Sequence, residues 1–307
     1  MADLVNELVW SHSRARTHSG CPRAYWLTYY GSWGGWDARA PAAVRAAYVQ
    51  KKLTTRAMWT GTVVHGAAEE AIGRLRSGKW IDVEAGVELA VRTARADIEG
   101  SSSGRWLERP AKRTGFREHY YDEPVDGADW EAAIAEIERQ VRGLYANRIF
   151  RRIAQVPDRV LEVEELRRFR VGSTDVYAAL DVLMSDGSGG VVILDWKTGE
   201  AHADEEIAAQ LGVYGIYATQ QLGIAVDRVR AMHVNLRHGT ETTHTVGPAE
   251  IEAARAEIEH SVGQMRAKLR DVATNAADPE DYPMVPEEDR RCRWCNFRRT
   301  CDRETKK

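Results

Sequence analysis

Asp195-Trp-Lys197 closes an apolar run, Gly190-Val-Val-Ile-Leu-Asp-Trp-Lys-Thr198, and it is the only Asp-x-Lys in a chain with eight lysines against 35 arginines. Strand side chains alternate, so Asp195 and Lys197 share a face with Val191 and Ile193. A second run, Tyr177–Met184, precedes it across the turn-rich Ser185-Asp-Gly-Ser-Gly-Gly190. A hairpin about that turn pairs residues whose numbers sum to about 376 and sets Asp181 opposite Asp195. Both faces of the pair are apolar, with Leu180, Val182, Val192 and Leu194 on one side and Ala179, Leu183, Val191 and Ile193 on the other. Such strands are expected to be buried on both sides. Two carboxylates and a lysine at the end of a buried sheet cost several kcal/mol unless paired or metal-bound. The simplest chemistry for the group is a divalent cation with a lysine beside its water; the bland alternative is a surface hairpin with an Asp–Lys salt bridge.

Four cysteines form the second constellation: Cys292-x2-Cys295-x5-Cys301, and Cys21 some 270 residues earlier. In a chain of this size the Cys-x2-Cys spacing points to metal rather than disulfides. Four thiolates complete a tetrahedral zinc site or hold an iron–sulfur cluster, and three ligands plus one remote suit a cluster better than the two close pairs of a zinc ribbon. Either group would close nearly the whole chain into one loop, a structural role.

The elements that must position these residues read as follows. Residues 1–60, rich in Trp, Tyr and Arg, predict short helices and loops. The spacing of Val63, Ala67, Ala71 and Leu75 predicts a helix over Thr62–Arg76, and that of Trp130, Ile134, Ile137, Val141 and Leu144 predicts one over 129–152. Gly and Ser at 100–104, Pro110 and Lys112–Gly115 predict an exposed loop. Four β-type runs follow, Val160–Val171, Tyr177–Met184, Val191–Lys197 and Arg228–Leu236, with a helix over 204–222 between the last two. A further strand over Thr240–Val246 and a long helix over 249–271 lead to an irregular tail and the cysteines. The order predicts an α/β fold: a mixed central sheet flanked by helices, with helical additions at the N-terminus and a C-terminal cysteine cluster.

The formal net charge is −3, with 43% hydrophobic and 29% charged residues. No stretch of about 18 apolar residues occurs and no secretory signal opens the sequence, so a cytoplasmic protein without a membrane span is expected. Arginines cluster at 14–23, 105–117, 139–152, 167–170 and 290–303. Each cluster reads first as a solvated face; together they are compatible with a basic groove for nucleic acid. Trp26, Trp33, Trp36 and Trp59 belong to the core or stack on single-stranded bases. No Gly-x4-Gly-Lys-[ST] helicase signature is present.

Taken together, the motifs resemble the RecB-like nucleases of the PD-(D/E)xK superfamily, in the iron–sulfur branch that includes the AddB nuclease domain and the CRISPR-adaptation exonucleases. The first motif, Gly-x3-His-x3-Glu, corresponds to Gly61, His65 and Glu69; the second to Asp181 in Ala-Ala-Leu-Asp; the third to Asp195-Trp-Lys197; the fourth, Gln-x3-Tyr, to Gln210 and Tyr214. The cysteine pattern corresponds as well. The chain departs in having Ala-Ala-Leu where a Gly usually precedes the second-motif Asp, and in lacking a Pro-Asp before Asp-x-Lys. The resemblance implies a restriction-endonuclease-like domain over 1–307, with a mainly helical part to 155, a nuclease core over 156–248 and a helix and cysteine tail over 249–307.

It further implies Mg²⁺ or Mn²⁺ on His65, Asp181, Asp195 and the Trp196 carbonyl, with Lys197 orienting or deprotonating the attacking water. A 4Fe–4S cluster would sit on Cys21, Cys292, Cys295 and Cys301, zinc being the lesser alternative. Glu69 would bond to a ligand or simply form a surface salt bridge; Gln210 and Tyr214 would position DNA, or Tyr214 would only pack; Glu162, Glu164 and Glu165 offer further acids with no choice among them. His65, taken alone, reads as an ordinary helix-face histidine. The expected function is a metal-dependent exonuclease on single-stranded DNA ends, in repair, recombination or CRISPR adaptation, served by a helicase or adaptation partner. The rivals are a structure-selective endonuclease, a DNA-binding subunit with a silent or partner-activated centre, and a redox protein that would leave Asp-x-Lys without a purpose.

Overall fold

The computed structural model describes residues 4–200, 204–301 and 303, with the side chains of 204–206 outside that description. Helices α1 (His12–Gly20), α2 (Ala42–Lys51), α3 (Arg56–Arg76), α4 (Val83–Ser102), α5 (Gly127–Ala146) and α6 (Arg148–Gln155) occupy the first half. Then come strands β1 (Val160–Val171), β2 (Thr174–Ser185) and β3 (Val191–Lys197), helix α7 (Asp204–Gln221), strands β4 (Val229–Asn235) and β5 (Thr240–Thr245), and helix α8 (Pro248–Ala267). The five strands form one sheet in sequence order, antiparallel except for the β3–β4 pair, which α7 connects as a parallel crossover. This is the mixed sheet between helices that the run order predicts.

The hairpin register is the expected one. Val182 pairs with Leu194, Leu183 with Ile193 and Met184 with Val192. The turn holds that register with its own side chain, because Asp186 Oδ1 accepts from the Ser188 and Gly190 amides at 2.7 and 2.9 Å. Gly187 and Gly189 supply the positive φ of 83° and 95° that the turn needs.

Two cores flank the sheet. One face, with Val182, Met184, Leu194 and Trp196, packs on α3, α4, α5 and α6 through Val64, Ala90, Ile137 and Phe150. The other, with Leu183, Val191 and Ile193, packs on α7 and α8 through Ile216, Tyr217, Ile258 and Met265. Burial on both faces is therefore observed, but the expected strict alternation is not. Val176, Ala178 and Leu180 join the same core as Leu183, opposite to Val182. The change of side falls at Asp181 and at Glu164, the position facing it on β1, where the backbone enters the left-handed region at φ 48°. The β1–β2 ladder runs on either side but skips that pair.

Three other expectations are corrected. The helix predicted over 129–152 breaks at Asn147, whose side chain accepts from the Ile149 amide at 2.7 Å and so starts α6. The loop expected at 100–104 begins later, because α4 runs to Ser102 and buries Ser101, which receives the Phe116 amide at 2.9 Å. The helix over 249–271 ends at Ala267. Among the described residues no helix is long and apolar enough to cross a membrane.

Candidate metal centre and cysteine site

Helix α3 brings His65 against the sheet where β2 changes sides. Its approach depends on Gly61, where a Cβ would lie 2.7 Å from Thr198 Oγ1 just beyond Lys197. His65 Nδ1 stands 3.0 Å from Glu164 Oε1 and 3.5 Å from Asp181 Oδ1. His65, Glu164 and Asp181 each offer one ligand atom, all within 4.8 Å of one another. Burial opposes a charge on His65, but the Asp181 and Glu164 carboxylates outweigh it and lift the imidazole to about 10. Three such donors, two of them hard oxygens, fit Mg²⁺ or Mn²⁺.

Asp181 is fixed from behind by the Trp196 amide, which donates to Oδ2 at 2.7 Å. One residue either side of that amide lie the other two members. Asp195 is buried, and burial and then the charge of Asp181 raise its pKa. Lys197 Nζ sits 2.6 Å from its Oδ2. Its Oδ1 accepts from Gln210 Nε2 at 2.9 Å, and Gln210 Nε2 also donates to Tyr214 Oη at 2.5 Å. Tyr214 Oη donates to the Ala179 carbonyl at 3.0 Å, and burial holds its pKa well above the usual phenol value. Gln210 and Tyr214, one turn apart on α7, thus orient the Asp195 carboxylate rather than only packing. A cavity of about 320 Å³ is lined by His65, Asp181, Asp195, Trp196, Lys197, Gln210 and Tyr214.

Glu69 does not line that cavity; it is exposed one turn beyond His65, its pKa raised by partial burial and then by Glu164. Of the three glutamates on β1, Glu164 faces His65 while Glu162 turns to the opposite core, accepting from Tyr217 Oη at 2.7 Å. Glu165 is exposed. A residue the sequence reading missed is His233, buried on β4 directly beside Asp195, with Nε2 3.7 Å from Oδ2. Its only signal was a histidine in the β-type run 228–236, which also carries Arg228, Arg230 and Asn235. Of the four tryptophans considered for stacking, Trp59 lies in the core and donates to Asp97 at 2.9 Å, and Trp26 donates to the Ala277 carbonyl. Trp33 and Trp36 stay partly exposed, edge to face with centroids 5.0 Å apart.

The four cysteines, Cys21 and the three that begin 271 residues later at Cys292, line one small cavity with Arg23, Met284 and Arg298. Pro22 starts a short helix right after Cys21, and a turn places Cys292 and Cys295 on one side. Burial, then the neighbouring thiols, pushes Cys295 up and Cys301 up to about 11. Thiols held protonated in this way give up protons to a bound metal.

A sequence model of the PD-(D/E)XK nuclease superfamily matches residues 9–302. No curated protein matches the chain. Among solved structures, the crystal structure of SSO0001 is similar at 13% identity, over 70% of this chain and 82% of that chain, with a TM-score of 0.29. The superfamily match runs through α3, both acid-bearing strands and the cysteines, and with it the chain belongs to the PD-(D/E)XK nuclease superfamily.

Proposed function

We propose that this protein is a Mg²⁺- or Mn²⁺-dependent deoxyribonuclease of the RecB-like, iron–sulfur branch, acting as an exonuclease on single-stranded DNA ends. The observation that carries the proposal is the convergence of His65, Asp181, Asp195 and Lys197 on one cavity from a helix and two adjoining strands. His65, Asp181, Asp195 and the Trp196 carbonyl hold the cation in this reading, with Glu164 as an additional acid. When bound, the cation supplies Lewis-acid activation of water and neutralises charge on the phosphate. Lys197 donates to the phosphate oxygen or orients the attacking water from its place beside Asp195. Gln210 and Tyr214 keep Asp195 in one orientation, so no carboxylate has to reorganise as the phosphate charge builds up.

The cysteine cavity, lined by Cys21, Cys292, Cys295 and Cys301, supports the cluster in this reading through its spacing: three close ligands and one remote one suit a 4Fe–4S group better than the two close pairs of a zinc ribbon. In this role the cluster joins the N-terminal helices, the core over 156–248 and the tail over 249–307 into one nuclease domain. The test is incubation of anaerobically purified protein with end-labelled single- and double-stranded DNA and Mn²⁺, beside Asp181→Asn. Metal-dependent cleavage lost in the variant supports the nuclease, and a ladder from one end supports exonuclease action; cleavage of circular single strands points instead to an endonuclease.

A further inference from the structure

Strands β1 and β2 have 12 residues each, whereas β3 has seven. Beyond Asp181 the β2 strand therefore continues without β3 at its side. Trp10 takes up part of the free edge, donating to the Asp175 carbonyl at 2.8 Å and accepting from the Tyr177 amide at 2.7 Å. Trp10 is itself fixed by a 2.8 Å bond to Ser261. Between Trp10 and the catalytic cavity lies a groove of about 410 Å³. It shares Ala179, Lys197, Gln210 and Tyr214 with that cavity, so the two are continuous.

The lining is graded. At the inner end is Lys197; in the middle are Tyr177, the exposed Leu166 and, from α7, Ile207 and Val213; at the outer end are Ser11, Ser13 and Arg16. Ala178 and Ala179, the alanines that stand where the resemblance leads one to expect a more glycine-like approach to the acid, keep the floor low. Alternation from Asp175 and Tyr177 turns the Ala179 peptide group to the groove, and its carbonyl receives Tyr214.

We infer that this groove holds one unpaired nucleotide of a DNA strand, the one adjoining the scissile phosphate. Its base lies against Tyr177 and Leu166, and its outer phosphate meets Ser11, Ser13 and Arg16. An apolar, aromatic middle between two phosphate-binding ends matches a nucleotide, and a base can lie flat on Tyr177 only when it is unpaired and unstacked. The inference rests on the nuclease reading and adds a reason for single-strand preference.

The experiment uses two variants at exposed positions of the full-length protein, Ala179→Trp, which fills the floor, and Leu166→Glu, which puts a carboxylate on the rim. Binding of fluorescent single-stranded (dT)12 is measured in Ca²⁺, and cleavage separately in Mn²⁺; near-UV circular dichroism verifies the fold of each variant. Both variants are expected to weaken (dT)12 binding by at least about ten-fold, the scale of one lost stacking contact, and to raise KM more than they lower kcat. Folded variants that bind within two-fold of the parent, while the parent cleaves in Mn²⁺, overturn the groove and leave the nuclease reading intact. A parent that does not cleave, with binding still lost in both variants, supports the groove and overturns the nuclease reading.

Discussion

The acid cavity and the cysteine cavity are both places where burial raises the pKa of ligand-type groups, yet they are built in opposite ways. The acid cavity collects oxygen and nitrogen donors from α3, β1, β2 and β3, and each donor is braced by a neighbour: Asp181 by the Trp196 amide, Asp195 by Gln210, His65 by Glu164. The cysteine cavity collects four sulfurs from segments with little regular structure, Cys21 at a helix junction, Cys292 in the four-residue helix Arg290–Arg293, and Cys295 and Cys301 in the irregular segment after it. Around it the packing is thin: Leu27, Ala47 and Phe297 form a small separate core. The acid cavity is thus shaped by the sheet and its helices, whereas the cysteine tail is held by polar contacts such as Tyr121 Oη to the Asn296 carbonyl and Asn296 Nδ2 to the Leu53 carbonyl and, in the proposed reading, by the group the sulfurs bind. The contrast predicts that damage to the first removes chemistry and spares the fold, while damage to the second does the reverse.

The largest expected effect tests the first half. Asp181→Asn lowers the cleavage rate by about 10³-fold or more while leaving the thermal midpoint near that of the parent, measured by single-turnover cleavage and calorimetry. Lys197→Met comes next, with a loss of about 10²- to 10³-fold and unchanged Mn²⁺ affinity. Cys295→Ser is the opposite probe. It is expected to lose the brown chromophore and to unfold at lower temperature or denaturant, with cleavage falling only in proportion to the folded fraction. A Cys295→Ser protein that is as stable as the parent but inactive breaks the comparison. Tyr214→Phe removes one hydrogen bond onto the Asp195 support and costs about ten-fold in kcat, with little change in KM.

The last effect concerns pH and leaves the sequence of the protein unchanged. His65 in the metal-free protein carries its proton up to about 10, against 6.5 for an ordinary imidazole. A cation must displace that proton, so apparent Mn²⁺ affinity rises with pH throughout the range below about 10 and levels off above it. Titration calorimetry in buffers of different ionisation enthalpy reads the released proton. The same shift has a definite sign for the apo fold: a raised pKa stabilises it fully below 6.5, and that contribution is lost as pH rises towards 10.

Much of this was legible in the sequence where local rules act alone. The β2–β3 register followed from a turn whose Asp and glycines admit one geometry, and with it the juxtaposition of Asp181 and Asp195. What the sequence hid depended on tertiary contacts. Three glutamates within four residues could not be sorted until the kink at Glu164 turned one of them to His65 and left Glu162 with Tyr217. That same kink reversed the faces of Val176, Ala178 and Leu180, which period-2 alternation cannot anticipate. Helix α4 was obscured because its buried side is built of Gly86, Val87, Ala90 and Ala94, a weak apolar stripe; Gly86 is small because Tyr145 of α5 rests on it, 2.5 Å from where a Cβ would be. His233 was hidden for a similar reason, since its value lies in a parallel neighbour 38 residues away.

The most direct test of the central claim is single-turnover cleavage of end-labelled single-stranded DNA by cluster-loaded protein, titrated with Mn²⁺, for the parent and Asp181→Asn. The account predicts metal-dependent cleavage by the parent and a loss of about 10³-fold in a variant that stays folded. A folded, cluster-loaded parent that fails to cleave at saturating Mn²⁺, or an Asp181→Asn protein that cleaves as fast as the parent, contradicts it.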